Sequence, residues 1–236
     1  MTPVAATVAL AALYVAGVVR VARRRHRVER LRAVSFGLGI ALLLVAFLAP
    51  LEDDFARHMT QHLLIGDLAP LCLVLGLTGP ILRPVLAIRA LRSLRVLAHP
   101  LVALPLWAVD LCLWHAAPLF KAALRSESLH ALQHLCFFTC GVALWSALLG
   151  VLPAPRWFRT PHRLAFVGVM WLVSLSLSQV FLWSTRPYYY GSVADQRVGG
   201  GIMLLEGSAV MLGVLVWLLW GALVPSDHRG AVHANG

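Results

Sequence analysis

Charge is what this 236-residue sequence has least of: Asp, Glu, Lys and Arg together make up 13%, and only ten residues are acidic. With 60% hydrophobic residues and a mean hydropathy of +0.80, the chain has too little polar surface to cover a soluble globule, which places it in a membrane. Cysteine is sparse as well. All four, Cys72, Cys112, Cys136 and Cys140, fall inside apolar runs, so no disulfide framework is implied and they read as small buried hydrophobes. The sequence also lacks a soluble domain, a low-complexity segment and a convincing internal repeat.

What it has are apolar runs, at about 3–19, 33–51, 58–77, 100–114, 128–149, 164–184 and 198–224. Most approach or exceed the ~20 residues that a helix needs to cross the bilayer core. The first run is short, and a signal peptide is the competing reading there. No positive charge precedes it, as a cleaved signal requires, so it counts as a span. The expected fold is all-α: a polytopic bundle of seven transmembrane helices forming one domain over 1–224, with a disordered cytoplasmic tail at 225–236.

Basic residues set the orientation. Arg20, Arg23, Arg24, Arg25, Arg27, Arg30 and Arg32 lie between spans one and two; Arg83, Arg89, Arg92 and Arg95 between three and four; Arg156, Arg159 and Arg163 between five and six; and Arg229 in the tail. The other side carries Arg57, Lys121, Arg125, Arg186 and Arg197. The richer side is expected in the cytoplasm, which puts the N-terminus outside and the C-terminus inside. The net charge of +10 is thus distributed over short inner loops, suited to membrane lipids with anionic headgroups and not to nucleic acid. The stretch 81–97, leucine and valine mixed with four arginines, suits a helix lying in the inner interface.

Five histidines, His58, His62, His115, His130 and His134, fall at span ends that this orientation brings to the outer face. Two pairs are spaced i,i+4, which on a helix leaves the rings about 40° apart and roughly 6 Å along the axis. A single histidine in such a place reads as an interfacial side chain. Five converging imidazoles instead meet the need of a late transition metal for neutral nitrogen ligands. His26, His99, His162, His228 and His233 fall on the basic side or in the tail and read as interfacial or solvated.

Acidic groups flank the cluster. Asp67 and Asp110 lie within spans three and four, where an unpaired carboxylate is costly, so both are expected to face the bundle interior. A structural role, pairing with a hydroxyl or an indole N–H, stands beside metal ligation as a reading of each, and a carboxylate that orients a ligand imidazole is a third. Asp195, before Gly199, Gly200 and Gly201 at the start of span seven, either extends the site or caps a helix. Glu206 is expected to find a polar partner in the bundle, Met59 to pack, and Tyr188 to Tyr190 with Trp114, Trp157 and Trp183 to form aromatic belts.

The run His58, Met59, Thr60, Gln61, His62, with Ala69, Pro70, Leu75 and Gly76 following, resembles the CtaG-type cytochrome c oxidase assembly factors of bacteria. Trp114 and His115 followed by Pro118, then His130, His134, Phe137, Phe138, Gly141 and Trp145, then Asp195, Gln196, Gly199, Gly200, Ile202 and Met203, extend the resemblance over about 33–213. The resemblance implies a multi-pass protein of the bacterial inner membrane that supports maturation of the oxidase metal centres by handling copper. Its partners would be cytochrome c oxidase subunits or another copper carrier. In that reading the five histidines hold the ion, which leaves by ligand exchange, no reaction is catalysed, and affinity declines as pH drops through ~6.5, where imidazole protonates. A zinc-dependent, ceramidase-like intramembrane hydrolase, with Asp67, Asp110 or Asp195 as base, is the competing reading. A haem held by histidines from different helices, such as His62 and His134, is a third.

Overall fold

The computed structural model describes residues 2–23, 28–49, 51, 54–78, 81–82, 94–152 and 154–223. The expected tail at 225–236, most of the stretch 81–97, and His26, His228 and His233 lie outside them. The described residues are all-helical: α1 (Pro3–Arg23), α2 (Arg30–Leu48), α3 (Phe55–Leu63), a π-helical turn (Leu64–Leu68), α4 (Ala69–Gly76), α5 (Leu94–Leu97), α6 (Pro100–Trp114), α7 (Ala117–Arg125), α8 (Glu127–Leu149), α9 (Thr160–Trp183) and α10 (Val193–Leu223). Six helical stretches, one of them the continuous run Phe55–Gly76, are long and apolar enough to cross a membrane. The bent pair α6 and α7, which meet at 71°, makes a seventh if it is one span.

Local chemistry explains where these helices begin and break. The Asp54 carboxylate accepts from the Arg57 N–H at the start of α3, and the Ser126 hydroxyl accepts from the Leu129 N–H at the start of α8. α8 ends at Gly150, whose φ of 68° is the left-handed conformation that glycine adopts most readily at a helix end. The segment 116–127, between the expected fourth and fifth spans, is mostly the helix α7. A straight continuation of α6 through it would drive the Pro118 ring onto the carbonyl of Trp114, so the chain turns and restarts with Pro118 in its first turn.

Pro70 acts similarly inside the third span. It has no N–H for the Gly66 carbonyl, and the backbone widens: the Ala69 N–H reaches back five residues to the Leu64 carbonyl. The Gly66 carbonyl then faces α8 at Gly141, where an added Cβ would overlap its oxygen. Only glycine lets the two backbones approach this closely.

α8 is the central helix, packed against α4, the π-helical turn, α6 and α7, with Leu144, Trp145 and Leu148 fully buried. α9 and α10 pack on each other, and α10 also packs on α3 through Gly199, where a side chain would collide with Phe55. α1 packs on α2, with the Tyr14 and Phe36 rings stacked at 3.7 Å. Arg32 and Arg163 lie at one end of the bundle: Arg32 donates to the Leu75 and Leu77 carbonyls where α4 ends, and Arg163 reaches the end of α8 at Gly150. The five clustered histidines are at the other.

Candidate metal centre

Two carboxylates fix the helix that carries the first histidine pair. Asp54 caps it from its own chain segment, while Asp195, from the first turn of α10, accepts the Phe55 N–H at 2.8 Å and the Ala56 N–H at 3.2 Å. Gln61 anchors the opposite face, donating to the Ala46 carbonyl at 2.9 Å. With α3 held in this way, His58 and His62 project toward α8, and their rings lie 4.3 Å apart by centroid. His130 and His134, one turn apart on α8, also have centroids 4.3 Å apart.

The two pairs interleave. His58 stacks on His130 at 5.1 Å and 12°, and His62 lies 5.4 Å from His134 and 6.3 Å from His130. One nitrogen from each of His58, His62 and His130 falls within 4.8 Å of the others, the spacing that three donors around one ion require. His115, at the break between α6 and α7, brings its ring to 6.1 Å from His62. All five predicted histidines therefore come together, three in a tight group with His134 and His115 beside it.

The chemistry of the nitrogens fits a ligand set. His58 and His62 are 1% and 6% exposed, and both ring nitrogens of each lack a hydrogen-bond partner, as does Nε2 of His134. A buried polar atom left unmatched loses its hydration without return, and unmatched ring nitrogens in this number are atoms that could hold a ligand. His115 is preset. Its Nδ1 lies 2.8 Å from the Leu111 carbonyl, which can only accept, so the proton sits on Nδ1 and the Nε2 lone pair is left open.

Aromatic side chains roof the group. Phe120 of α7 lies 5.3 Å from His58 and stacks on Tyr189 at 3.8 Å, and Phe55 lies 5.5 Å from Tyr189. The Tyr189 hydroxyl donates to the His115 carbonyl. Burial, with Tyr188 nearby, pushes that hydroxyl above the usual tyrosine range, so it remains a donor. Tyr189 thus turns inward instead of joining an aromatic belt. Trp114 does too, buried against Ala123 and Phe137, whereas Trp157 and Trp183 stay exposed.

Next to the histidines lies a cavity of about 60 Å³, whose lining includes His62, His115, Asp67, Asp110 and Glu206. Asp67 accepts from the Trp145 indole N–H at 2.7 Å and pairs with Glu206, the polar partner expected for that residue. Asp110 sits beside the Trp114 indole and the Cys140 thiol, with Oδ2 unmatched. Asp67 and Asp110 therefore border the histidine group, whereas Asp195 uses both oxygens on α3 backbone. The π-helical turn at Asp67 and the inward Tyr189 are the features that sequence reading missed; Pro70 was the available signal for the first.

The profile of a family described as cytochrome c oxidase caa3 assembly factor (Caa3_CtaG) matches residues 12–223. Among curated proteins, the chain is 27% identical over 255 residues to the uncharacterized proteins Mb0105 of Mycobacterium bovis and MT0111 of Mycobacterium tuberculosis, covering 92% of this chain and 38% of each relative. It is 26% identical over 264 residues to the uncharacterized protein ML1998 of Mycobacterium leprae, covering 94% of this chain. The chain thus spans 38% of the length of these relatives. No solved structure matches it.

Proposed function

The chain belongs to the cytochrome c oxidase caa3 assembly factor family, and from that premise we propose that it supports oxidase maturation by holding a copper ion as cargo on His58, His62 and His130. The carrying observation is the convergence of three buried imidazoles within 4.8 Å, with unmatched nitrogens on His58 and His62. Imidazole suits copper and zinc alike, and the family's task favours copper. His134 and His115 stand close enough to replace a ligand in turn, so the ion can move without becoming naked at any stage. Three neutral ligands leave the ion's charge uncompensated in a low-dielectric setting, which keeps binding reversible enough for a carrier. The histidine end faces outward across the bacterial inner membrane and the arginine end faces the cytoplasm, following the excess of basic residues there. The receiving partner is an oxidase subunit or another copper carrier.

The test is complementation of a bacterium that lacks its own copy and depends on the caa3 oxidase. The wild-type chain restores oxidase activity; His62→Ala at equal membrane abundance restores less than a tenth, and added copper recovers part of the loss. Equal restoration by the variant would refute the proposal. A zinc-dependent hydrolase remains the second reading because the cavity beside His62 and His115 offers carboxylates and space for water. Zinc in the purified protein, with lipid hydrolysis lost in Asp110→Asn, would favour it.

A further inference from the structure

The aromatic cover over the histidine group is made of parts that are held differently. Phe55 sits in the first turn of α3, fixed by the Asp195 carboxylate, and Phe120 sits on α7, which packs on α8. Tyr189 instead belongs to the segment 184–192, which joins α9 to α10 and is not helical. Two ties hold the centre of that segment. The Tyr188 N–H donates to Gln196 Oε1 at 2.7 Å, and Gln196 Nε2 donates to the Arg186 carbonyl at 3.4 Å, so one side chain of α10 holds the backbone on both sides of Pro187. Gln196 is 1% exposed, which leaves water no part in replacing these bonds. The other tie is the Tyr189 hydroxyl, which donates to the His115 carbonyl where α6 and α7 meet. Just beyond, Gly191 takes a φ of 77°, a conformation that glycine enters and leaves readily, which suits a pivot. Held in this way, the Tyr189 ring stacks on Phe120 at 3.8 Å and lies 5.5 Å from Phe55, while Phe120 lies 5.3 Å from His58 and 6.3 Å from His62. The Tyr190 ring adds an edge 6.5 Å from His58. The phenylalanines carry no ligand atom, and the Tyr189 hydroxyl is committed to His115, so these rings block the site and do not ligate in it.

We propose that the segment 184–192 is a lid that sets how fast an ion enters and leaves the histidine site, with Gln196 as the residue that positions it and the bond from Tyr189 to His115 as its latch. The proposal rests on reading the histidine group as the copper site. With His58 and His62 only 1% and 6% exposed, an ion reaches them from water after part of the cover moves. Moving Phe55 or Phe120 means shifting α3 or α7, each packed along its length, whereas lifting Tyr189 means breaking the ties at Gln196 and His115. Local opening follows the weaker restraint, so the lid is the way in. A lid that opens alike with and without the ion changes the rates of entry and exit together and leaves the affinity alone. Removing one of its hydrogen bonds, worth ~1 kcal/mol net, raises the open population about fivefold.

The experiment treats the full chain, purified in detergent and stripped of metal, with diethylpyrocarbonate, which acylates accessible neutral imidazole, and follows each histidine by mass spectrometry. Exposed His162 is the reference, and alkylation of the buried Cys140 thiol by N-ethylmaleimide reports opening of the whole bundle. In the wild type, His58 and His62 should react more slowly than His162. Tyr189→Phe keeps the ring and removes the latch, and should quicken both about fivefold; Gln196→Met removes two bonds and should quicken them at least as much. Cys140 and His162 should not change. In the Cu(I)-loaded chain, release to a chromophoric chelator should quicken by the same factors while the Kd stays within about twofold, a separation of rate from affinity that mere loosening of the site does not give. The two variants act on different ties, so a folding failure of one leaves the other to decide. Unchanged labelling of His58 and His62 would overturn the lid, as would a rise that Cys140 shares. Copper binding by the wild type is scored separately: labelling that responds while no copper binds would sink the cargo reading and leave a cover over the histidines, whereas copper binding with unresponsive labelling would sink the lid alone.

Discussion

Removal of the Asp195 carboxylate should weaken metal binding although the residue touches no histidine. Its two oxygens accept the Phe55 and Ala56 N–H groups at 2.8 and 3.2 Å, holding the first turn of the helix that ends that turn at His58. Loss of a capping acceptor costs about 1–2 kcal/mol. Asp54 continues to take the Arg57 N–H, so the helix survives and the cost falls on ordering its first turn when the ion binds. If about 1.4 kcal/mol of that is charged against binding, affinity drops tenfold. Asp195→Ala should therefore raise the Kd for Cu(I) about tenfold at unchanged stoichiometry. Asp195→Asn keeps one acceptor oxygen but turns its amide nitrogen, a donor, toward the other backbone N–H and loses the interaction of charge with helix dipole, so its Kd should rise nearly as far as in Asp195→Ala. Competition against a chromophoric Cu(I) chelator at fixed pH measures both. Unchanged affinity in Asp195→Ala would refute the argument that this cap positions His58. Loss of stoichiometry in Asp195→Asn would refute it differently, by making the carboxylate a ligand.

Other perturbations follow from the same geometry. Gly141→Ala forces a methyl onto the Gly66 carbonyl and should destabilise the bundle by about 1–3 kcal/mol, seen as a lower thermal transition in detergent. Trp145→Phe removes the donor that Asp67 Oδ1 accepts at 2.7 Å and leaves that buried oxygen without it, a loss of about 1–3 kcal/mol in stability with histidine-site metal retained. Tyr189→Phe deletes the hydroxyl that holds the His115 carbonyl; hydrogen exchange at the start of α7 should quicken, and stability should fall by about 1 kcal/mol.

Sequence made the helical character and the histidine convergence legible because each is written in a repeating signal. Apolar runs mark helices in lipid, and the i,i+4 spacing of His58 with His62 and His130 with His134 puts each pair on one face. Helix ends were less visible: α3 begins at Phe55, before the apolar run read from 58, because Asp54 and Asp195 start it with polar caps. The facing of individual side chains was least visible. In lipid both the buried and exposed sides of a helix are apolar, so no hydrophobic stripe tells which way Trp114 or Tyr189 turns. Tyr189 is fixed by its hydrogen bond to His115 and its stacking on Phe120, contacts made across long sequence separations. Glu206 needed a partner by elementary cost, yet only the fold identifies Asp67 as that partner.

The most direct test of the central claim is elemental analysis and visible absorption of the full chain, purified in detergent from cells grown with both copper and zinc, beside His62→Ala and His134→Ala. The account predicts copper at or above one ion per chain in the wild type, a severe loss in His62→Ala, a lesser loss in His134→Ala, and no Soret band. Copper content unaffected by His62→Ala, zinc in its place, or a haem spectrum would contradict it.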